Sequence, residues 1–376
     1  MIDFQKLPSP CFVLDEQLLD RNLAVIDRVR RESGAEVIVA LKACAMWSIF
    51  PELAQHSDGA TASSLAEARL VFEEFGRPAH TYAPVYTDRN IEEILDCSDH
   101  ITFNSVAQFE RFGQMALLRG ISCGLRINPG YSPVETDLYN PCVPGSRLGI
   151  PAGELKELPA GVEGLHFHVL CESRPEHLRL ALDAVEKRFG RFLDRIKWLN
   201  MGGGHLMTHK DYDCDELIRI LQEFKAKYPN LRLILEPGSA FTWRTGYLVS
   251  TVEDIVENGG VRTAMLDVSF ACHMPDCLET PYKPAILGAR DPEPGEKGWR
   301  MGGNSCLAGD YYGDWIFDRD LRVGDRIVFE DMIHYTMVKT TMFNGVAHPA
   351  IAIVRRDGAI EIIREFGYED FKSRMS

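Results

Sequence analysis

Val37-Ile38-Val39-Ala40-Leu41-Lys42-Ala43 is a run of apolar, largely β-branched residues that closes on a lysine. Its composition predicts a buried strand. A cation at the end of such a strand loses solvation, so its pKa falls, and the neutral amine can attack an aldehyde to form a Schiff base. The same seven residues also fit a lysine that lays its stem along the strand and reaches water with its tip. The sequence further along decides between the two.

Outward from this run, short apolar segments alternate with amphipathic helical ones. The expected strands are 37–41, 58–63, 80–85, 100–105, 122–128, 164–170, 197–202 and 231–236. Helical stripes lie between several of them. In 64–75 the stripe is Leu65, Ala68, Phe72 and Phe75; in 216–228 it is Leu217, Ile220, Leu221 and Phe224. A helix over 16–31, with Leu19, Leu23, Ile26 and Val29 in register, precedes the first strand. Eight strands with crossover helices predict a (β/α)8 barrel. Residues 128–157, rich in Pro and Gly, read as a long loop.

Past Gly246 the pattern becomes β-rich without intervening helices, at 247–256, 261–268, 326–330, 334–337, 350–354 and 361–364. This predicts a second, C-terminal antiparallel β domain. The expected division is a barrel over 15–246 and a β domain over 247–376, joined by the N-terminal strand in 1–14. Residues 291–299 read as an exposed loop.

Composition narrows the classes of function. The 376 residues are 45% hydrophobic and 26% charged, as in an ordinary soluble globular protein. No apolar run is long enough to span a bilayer and no signal-like segment opens the chain, so a cytoplasmic location is expected. Ten cysteines are scattered without CxxC spacing and read as reduced thiols. With 41 basic against 55 acidic residues, the formal charge of −14 argues against nucleic acid and suits a cationic small molecule.

In such barrels the chemistry sits at the C-terminal ends of the strands. Lys42 ends the first and Ser63 the second; His166 and His168 share a face near the end of the sixth; Gly202-Gly203-Gly204 follows the seventh; Glu236-Pro237-Gly238 ends the eighth. A glycine run lets backbone N–H groups approach a phosphate, and the loops after strands seven and eight are where these barrels hold one. A carboxylate on the same rim can keep a pyridine nitrogen protonated, and a histidine can stack on its ring. Each residue alone also fits a plainer role as core histidine, turn, cap or surface carboxylate. Together they point to pyridoxal 5'-phosphate anchored on Lys42.

With those residues placed, the chain resembles the fold type III pyridoxal phosphate decarboxylases, the ornithine and diaminopimelate group with an alanine-racemase-like barrel. The resemblance runs from Ser9-Pro10-Cys11-Phe12-Val13-Leu14 to Thr341-Met342-Phe343-Asn344-Gly345. It implies that Lys42 anchors the cofactor, His168 stacks on it, Gly202 to Gly204 hold its phosphate and Glu236 pairs with its pyridine nitrogen. Gly303-Asn304-Ser305-Cys306-Leu307-Ala308-Gly309-Asp310 matches the family's Cys-x-x-x-Asp element, and Asp331-Met332-Ile333-His334-Tyr335-Thr336 carries the tyrosine placed near the phosphate. The stretch from Leu266-Asp267-Val268-Ser269 to His273-Met274-Pro275-Asp276-Cys277-Leu278-Glu279 resembles the carboxynorspermidine branch in particular. Two departures speak against an ornithine or diaminopimelate substrate. The EPG motif continues with Ser239 where those enzymes have arginine, and His168-Val169-Leu170-Cys171-Glu172 lacks the serine of their His-Val-Gly-Ser motif.

The resemblance implies decarboxylation of carboxynorspermidine or carboxyspermidine, with Cys306 as proton donor to the neighbouring subunit's site in a homodimer. Asp276, Glu279 and Asp310 are expected to meet the cationic tail of such a carboxylated triamine. Alternatives are a diaminopimelate- or ornithine-type decarboxylase, a non-catalytic pyridoxal phosphate carrier, and, from another class, a metal-dependent hydrolase using His166 and His168. The remaining strand ends offer Gly and Glu rather than further His ligands, so no metal is expected.

Overall fold

The computed structural model describes residues 2–280 and 282–376, and two compact units divide the chain. One comprises Asn22–Phe241; the other joins the chain up to Arg21 with Thr242–Ser376. The first strand, β1 (Cys11–Asp15), belongs to the second of these, and the helix Glu16–Ser33 leads into the first.

The first unit is a closed barrel. Strands β2 (Glu36–Ala40), β3 (Gly59–Ala62), β4 (Ala79–Tyr82), β5 (Ser98–Phe103) and β6 (Ser122–Asn128) are followed by a two-residue strand β7 (Ile150–Pro151). Then come β8 (Val162–His166), β9 (Trp198–Asn200) and β10 (Arg232–Leu235). The order β5-β4-β3-β2-β10-β9-β8-β6, closed by β5 pairing with β6, makes an eight-stranded parallel ring, with β7 attached to β6. This is the expected (β/α)8 barrel. Val37, Ile38 and Val39 are fully buried, which explains the continuous apolar run of β2. Several observed strands are shorter than expected, because side-chain polarity marks a strand's burial better than its end.

Helices around the ring form where a capping residue meets an apolar stripe. Asp213 caps Cys214–Lys227 by accepting the Glu216 N–H at 2.9 Å, and the helix buries Leu217, Ile220, Leu221 and Phe224. Each such side chain contributes about 1.5–3 kcal/mol. The helix expected at 64–75 differs in detail: after Leu65–Leu70 the chain widens into a π-helix, Val71–Phe75. That extra width turns Val71 inward and leaves Phe72 49% exposed, so Phe72 is not part of the stripe.

The second unit is built on a nine-stranded sheet. Its further strands are β11 (Gly246–Asn258), β12 (Val261–Leu266), β13 (Ala289–Arg290), β14 (Trp299–Gly302), β15 (Tyr311–Phe317), β16 (Arg326–Glu330), β17 (Ala350–Val354) and β18 (Ile360–Arg364). The sheet is mixed rather than antiparallel: β1 runs parallel to β17 and β12 parallel to β14. The long connection between β12 and β14, with short helices at Phe270–His273 and Asp276–Glu279, is what a parallel return requires. Residues 334–337 are not a strand. Asp331 and Tyr335 adopt φ of 62° and 48°, which breaks extended backbone, and a 3-10 turn follows at Met337–Lys339. Alternate residues Cys11 and Val13, with Val249, Ala350, Ala352 and Val354, form the core. All ten cysteines are unpaired thiols, and among the described residues no helix is long and apolar enough to cross a membrane.

Candidate active site

Lys42 lies in the turn immediately after β2, where the Ala40 N–H bonds the Pro237 carbonyl at 3.3 Å and the Leu41 N–H bonds that of Thr61 at 3.2 Å. Its Nζ is 3.2 Å from Nε2 of His168, two residues past the end of β8. His168 Nδ1 in turn accepts the Gly203 N–H at 3.0 Å. That bond favours the tautomer with the ring proton on Nε2, which would be donated to the unprotonated amine, so this geometry favours the neutral form of Lys42. The electrostatics agree. Burial lowers the Lys42 pKa against the pull of Glu236, with Arg126 adding to the lowering, and burial followed by the charge of Lys42 takes His168 well below its ordinary value.

Glu236 follows β10, and its backbone N–H bonds the Gly202 carbonyl at 2.8 Å. One carboxylate oxygen accepts from the Asn200 amide at 2.7 Å, and the other lies 3.4 Å from His166 Nε2. Burial alone would raise its pKa; the His166 ring, the Asn200 amide and the charge of Lys42 outweigh that and hold it at about 2. The same Asn200 side chain accepts the Gly202 N–H at 2.9 Å, coupling carboxylate and glycine loop through one amide. The glycines are required. A Cβ on Gly203 would stand 2.4 Å from the Glu236 carbonyl oxygen, and Gly204, at φ 92°, would bring one within 2.3 Å of the Leu170 backbone.

Sequence reasoning passed over several neighbours. Arg126, buried in β6, donates to the His168 carbonyl at 3.3 Å and lies over the Tyr82 ring, which stacks on His166. Its signal was available, since a cation inside the apolar run Leu125-Arg126-Ile127 invites the argument made for Lys42. Ser173 sits against the glycine loop, its N–H bonding the Gly204 carbonyl at 2.8 Å, so a serine is present two residues after Cys171. His205, 2% exposed, has both ring nitrogens without a partner among the described residues.

Of the other expected residues, Ser63 is exposed past β3 and gives its N–H to Glu67, whose charge also acts on Lys42. Gly238 is buried after Pro237. Five residues lie in the sheet unit. Asp276 and Glu279 both pair with Lys339, Glu279 at 2.6 Å. Asp310, 5% exposed, accepts the N–H groups of Ala271 and Ser305, each at 3.0 Å. Cys306 is exposed, its backbone N–H held by the Asn344 side chain at 2.8 Å. The Tyr335 ring lies 6.1 Å from that of His334.

The barrel residues fit pyridoxal phosphate: a neutral amine for its aldehyde, a fixed carboxylate for its ring nitrogen, a glycine loop for its phosphate, and an unpartnered imidazole beside that loop. The family model described as "Pyridoxal-dependent decarboxylase, C-terminal sheet domain" matches residues 11–333, and the chain belongs to this family. Its fold is the alanine-racemase-type barrel with a mixed-sheet domain. The chain is 54% identical to the carboxyaminopropylagmatine decarboxylase of Synechocystis, over 98% of this chain and 96% of that one. It is 39% identical to the carboxynorspermidine/carboxyspermidine decarboxylase of Campylobacter jejuni, over 99% of each. The crystal structure of carboxynorspermidine decarboxylase from Campylobacter jejuni, complexed with norspermidine, superposes with a TM-score of 0.90 at 38% identity, over 98% of this chain and all of that one.

Proposed function

We propose that this chain removes, as CO2, the α-carboxylate of a carboxylated polyamine. The observation that carries the reading is the Lys42–His168–Gly203 hydrogen-bonded chain, with Asn200 joining Glu236 to the same glycine loop. Lys42 Nζ, kept neutral, would hold the cofactor's aldehyde, and Glu236 a proton on its ring nitrogen. The glycine loop with His205 would hold its phosphate and His168 its face. When bound, pyridoxal phosphate supplies a ring that accepts the electron pair left as CO2 departs. Cys306 Sγ would return a proton to the carbon, serving the site of the other subunit in a homodimer. A cytoplasmic setting belongs to the same reading, supported by ten unpaired thiols.

Carboxynorspermidine and carboxyspermidine are supported by the full-length likeness to enzymes named for them. The 54% identity to a carboxyaminopropylagmatine decarboxylase favours a second candidate with a guanidinium at the tail. All three carry an α-amino acid head on a chain interrupted by a secondary amine, with a further cationic group beyond it; diaminopimelate and ornithine lack that secondary amine and extended tail. CO2 release measured on all five compounds tests the reading. The expected outcome is kcat/KM at least about 100-fold higher on a carboxylated polyamine than on diaminopimelate or ornithine, because a site built to bind an amine within the chain discriminates strongly against analogues that lack it. Equal or better turnover of diaminopimelate would refute it.

A further inference from the structure

His166 ends β8 in register with Arg126 of β6 on one side and Asn200 of β9 on the other, and Asn200 is in register with Ile234 of β10. Residues in register on parallel strands point to the same face, here the one on which Ile38, Trp198 and Ile234 cluster. Arg126, His166 and Asn200 thus form one polar layer, and Glu236, two residues past Ile234, reaches it from the fourth strand. His166 is 2% exposed, and its ring stacks on that of Tyr82 in β4, with centroids 5.3 Å and planes 27° apart. The Arg126 guanidinium lies 4.7 Å over the Tyr82 ring, and the Tyr82 hydroxyl is taken by the Asn104 side chain at 2.9 Å.

The stack fixes the plane of the imidazole but gives its nitrogens nothing: neither has a hydrogen-bond partner among the described residues. Nε2 lies 3.4 Å from the Glu236 oxygen that Asn200 does not hold, a gap that a movement of about 0.3 Å turns into a hydrogen bond. A lone pair on Nε2 would face the charge of that oxygen, so the tautomer with the proton on Nε2 is favoured. Burial, joined by the charges of Arg126 and Lys42, lowers the His166 pKa against the pull of Glu236 and favours the neutral ring. Neutrality matters, because an imidazolium would cancel the carboxylate charge that a protonated ring nitrogen needs. We propose that His166 is a positioning residue for the decarboxylation: as a neutral donor it gives its Nε2–H to Glu236, so that Asn200 and His166 hold the carboxylate by both oxygens for the cofactor's ring nitrogen. Each oxygen keeps a second lone pair with which to meet that nitrogen. The inference rests on the assignment of Glu236 to the ring nitrogen.

The test uses the full chain carrying 15N-labelled histidine and loaded with 15N-labelled pyridoxal phosphate, followed by NMR. In the wild type, His166 is expected as the neutral Nε2–H tautomer between pH ~6 and ~8, and the cofactor's ring nitrogen is expected to carry a proton. The His166 signals are identified by their loss in His166→Gln. His166→Leu removes the donor and keeps an apolar side chain on the layer. The protonated fraction of the ring nitrogen should fall, and kcat should drop about 10- to 100-fold with KM within about 2-fold, the scale of one hydrogen bond to a charged group. His166→Gln, whose amide can stand in for Nε2–H, should recover most of both. An imidazolium or an Nδ1–H tautomer in the wild type would overturn the proposal, and that result does not depend on the Leu variant folding. A His166→Leu enzyme whose ring nitrogen stays fully protonated would overturn it as well. A wild-type ring nitrogen without a proton would overturn the Glu236 assignment and this proposal with it, whereas the first two results overturn the proposal alone.

Discussion

The barrel rim and the sheet unit treat their charged groups in opposite ways. At the rim, burial lowers the pKa of Lys42, burial takes His168 well below its ordinary value, and His205 is buried with no partner among the described residues. In the sheet unit, Asp276 and Glu279 are neutralised by Lys339, Asp310 is satisfied by two backbone N–H groups, and Cys306 is exposed. Burying polar groups without partners costs from about one to several kcal/mol each, so such an arrangement persists where a ligand completes it. Locally matched charges instead shape loops. The contrast separates residues left for a ligand to complete from residues whose partners lie in their own unit.

The sharpest break would come from Lys42→Ala. Its decarboxylase activity should fall on the order of 10^4-fold or more, and the visible absorbance of the lysine–cofactor linkage should vanish, while thermal stability stays near wild type. A borohydride-reducible cofactor adduct on a different lysine would refute the assignment. Mixing Lys42→Ala with Cys306→Ala subunits should restore about a quarter of wild-type activity if sites are shared across a dimer. No recovery despite proven subunit exchange would confine Cys306 to its own subunit or remove it from catalysis.

Glu236→Gln comes next, at about 100- to 1000-fold in kcat, the usual scale for losing one fixed charge at a reacting centre. The wild-type pH profile sharpens this. The carboxyl is depressed from 4.5 to about 2, so its contribution is complete above the ordinary value and is lost only as pH falls from 4.5 through about 2. The acid limb of kcat/KM should therefore contain no ionisation of Glu236 above pH ~5. An acid limb at pH 5–7 that disappears in the Gln variant would contradict the pairing.

How much of this was legible in the sequence follows from how local each signal is. Lys42, Gly202 to Gly204 and Glu236-Pro237-Gly238 each close an apolar run, so strand-end logic finds them without contacts being known. Arg126 and Asn200 escaped because they act through partners 42 and 36 residues away. The mixed sheet escaped for a different reason: alternation specifies which face a strand buries, not its direction, and β1 joins β17 across nearly the whole chain. Lys339 was likewise invisible, since its carboxylates lie 63 and 60 residues earlier. In the first helix after β3, a single π-turn reassigned Phe72 and Val71, a change that periodicity alone does not encode.

A smaller effect is expected at Asp310. Its carboxylate is an acceptor for the N–H groups of Ala271 and of Ser305, the residue before Cys306, and Asp310→Ala leaves both without an acceptor at a cost of about 2–4 kcal/mol in all. Denaturant unfolding should show this loss, whereas Lys42→Ala shows none, and kcat should fall through displacement of Cys306. Unchanged stability combined with a raised KM alone would instead return Asp310 to direct contact with the substrate tail.

The smallest effect is expected at Lys339. Two carboxylates share one ammonium, so the Asp276–Glu279–Lys339 group carries a net charge of −1 and can satisfy one further cation. Hydrogen bonds to the two carboxylates outweigh burial and raise the lysine pKa, so it stays charged through neutral pH. With about a third of the Lys339 side chain exposed, solvent screens these pairs, and removing the lysine should cost no more than about 1 kcal/mol of stability. Lys339→Met would free the second carboxylate, whose vacant charge favours a polycationic substrate. KM for a carboxylated polyamine should then fall a few-fold, by about 1 kcal/mol, with kcat unchanged and with a steeper dependence on salt. A rise in KM would show that Lys339 orders the carboxylates rather than competing for them. Equal KM at all ionic strengths would place Asp276 and Glu279 outside the substrate tail's reach and leave the barrel rim as the whole of the recognition.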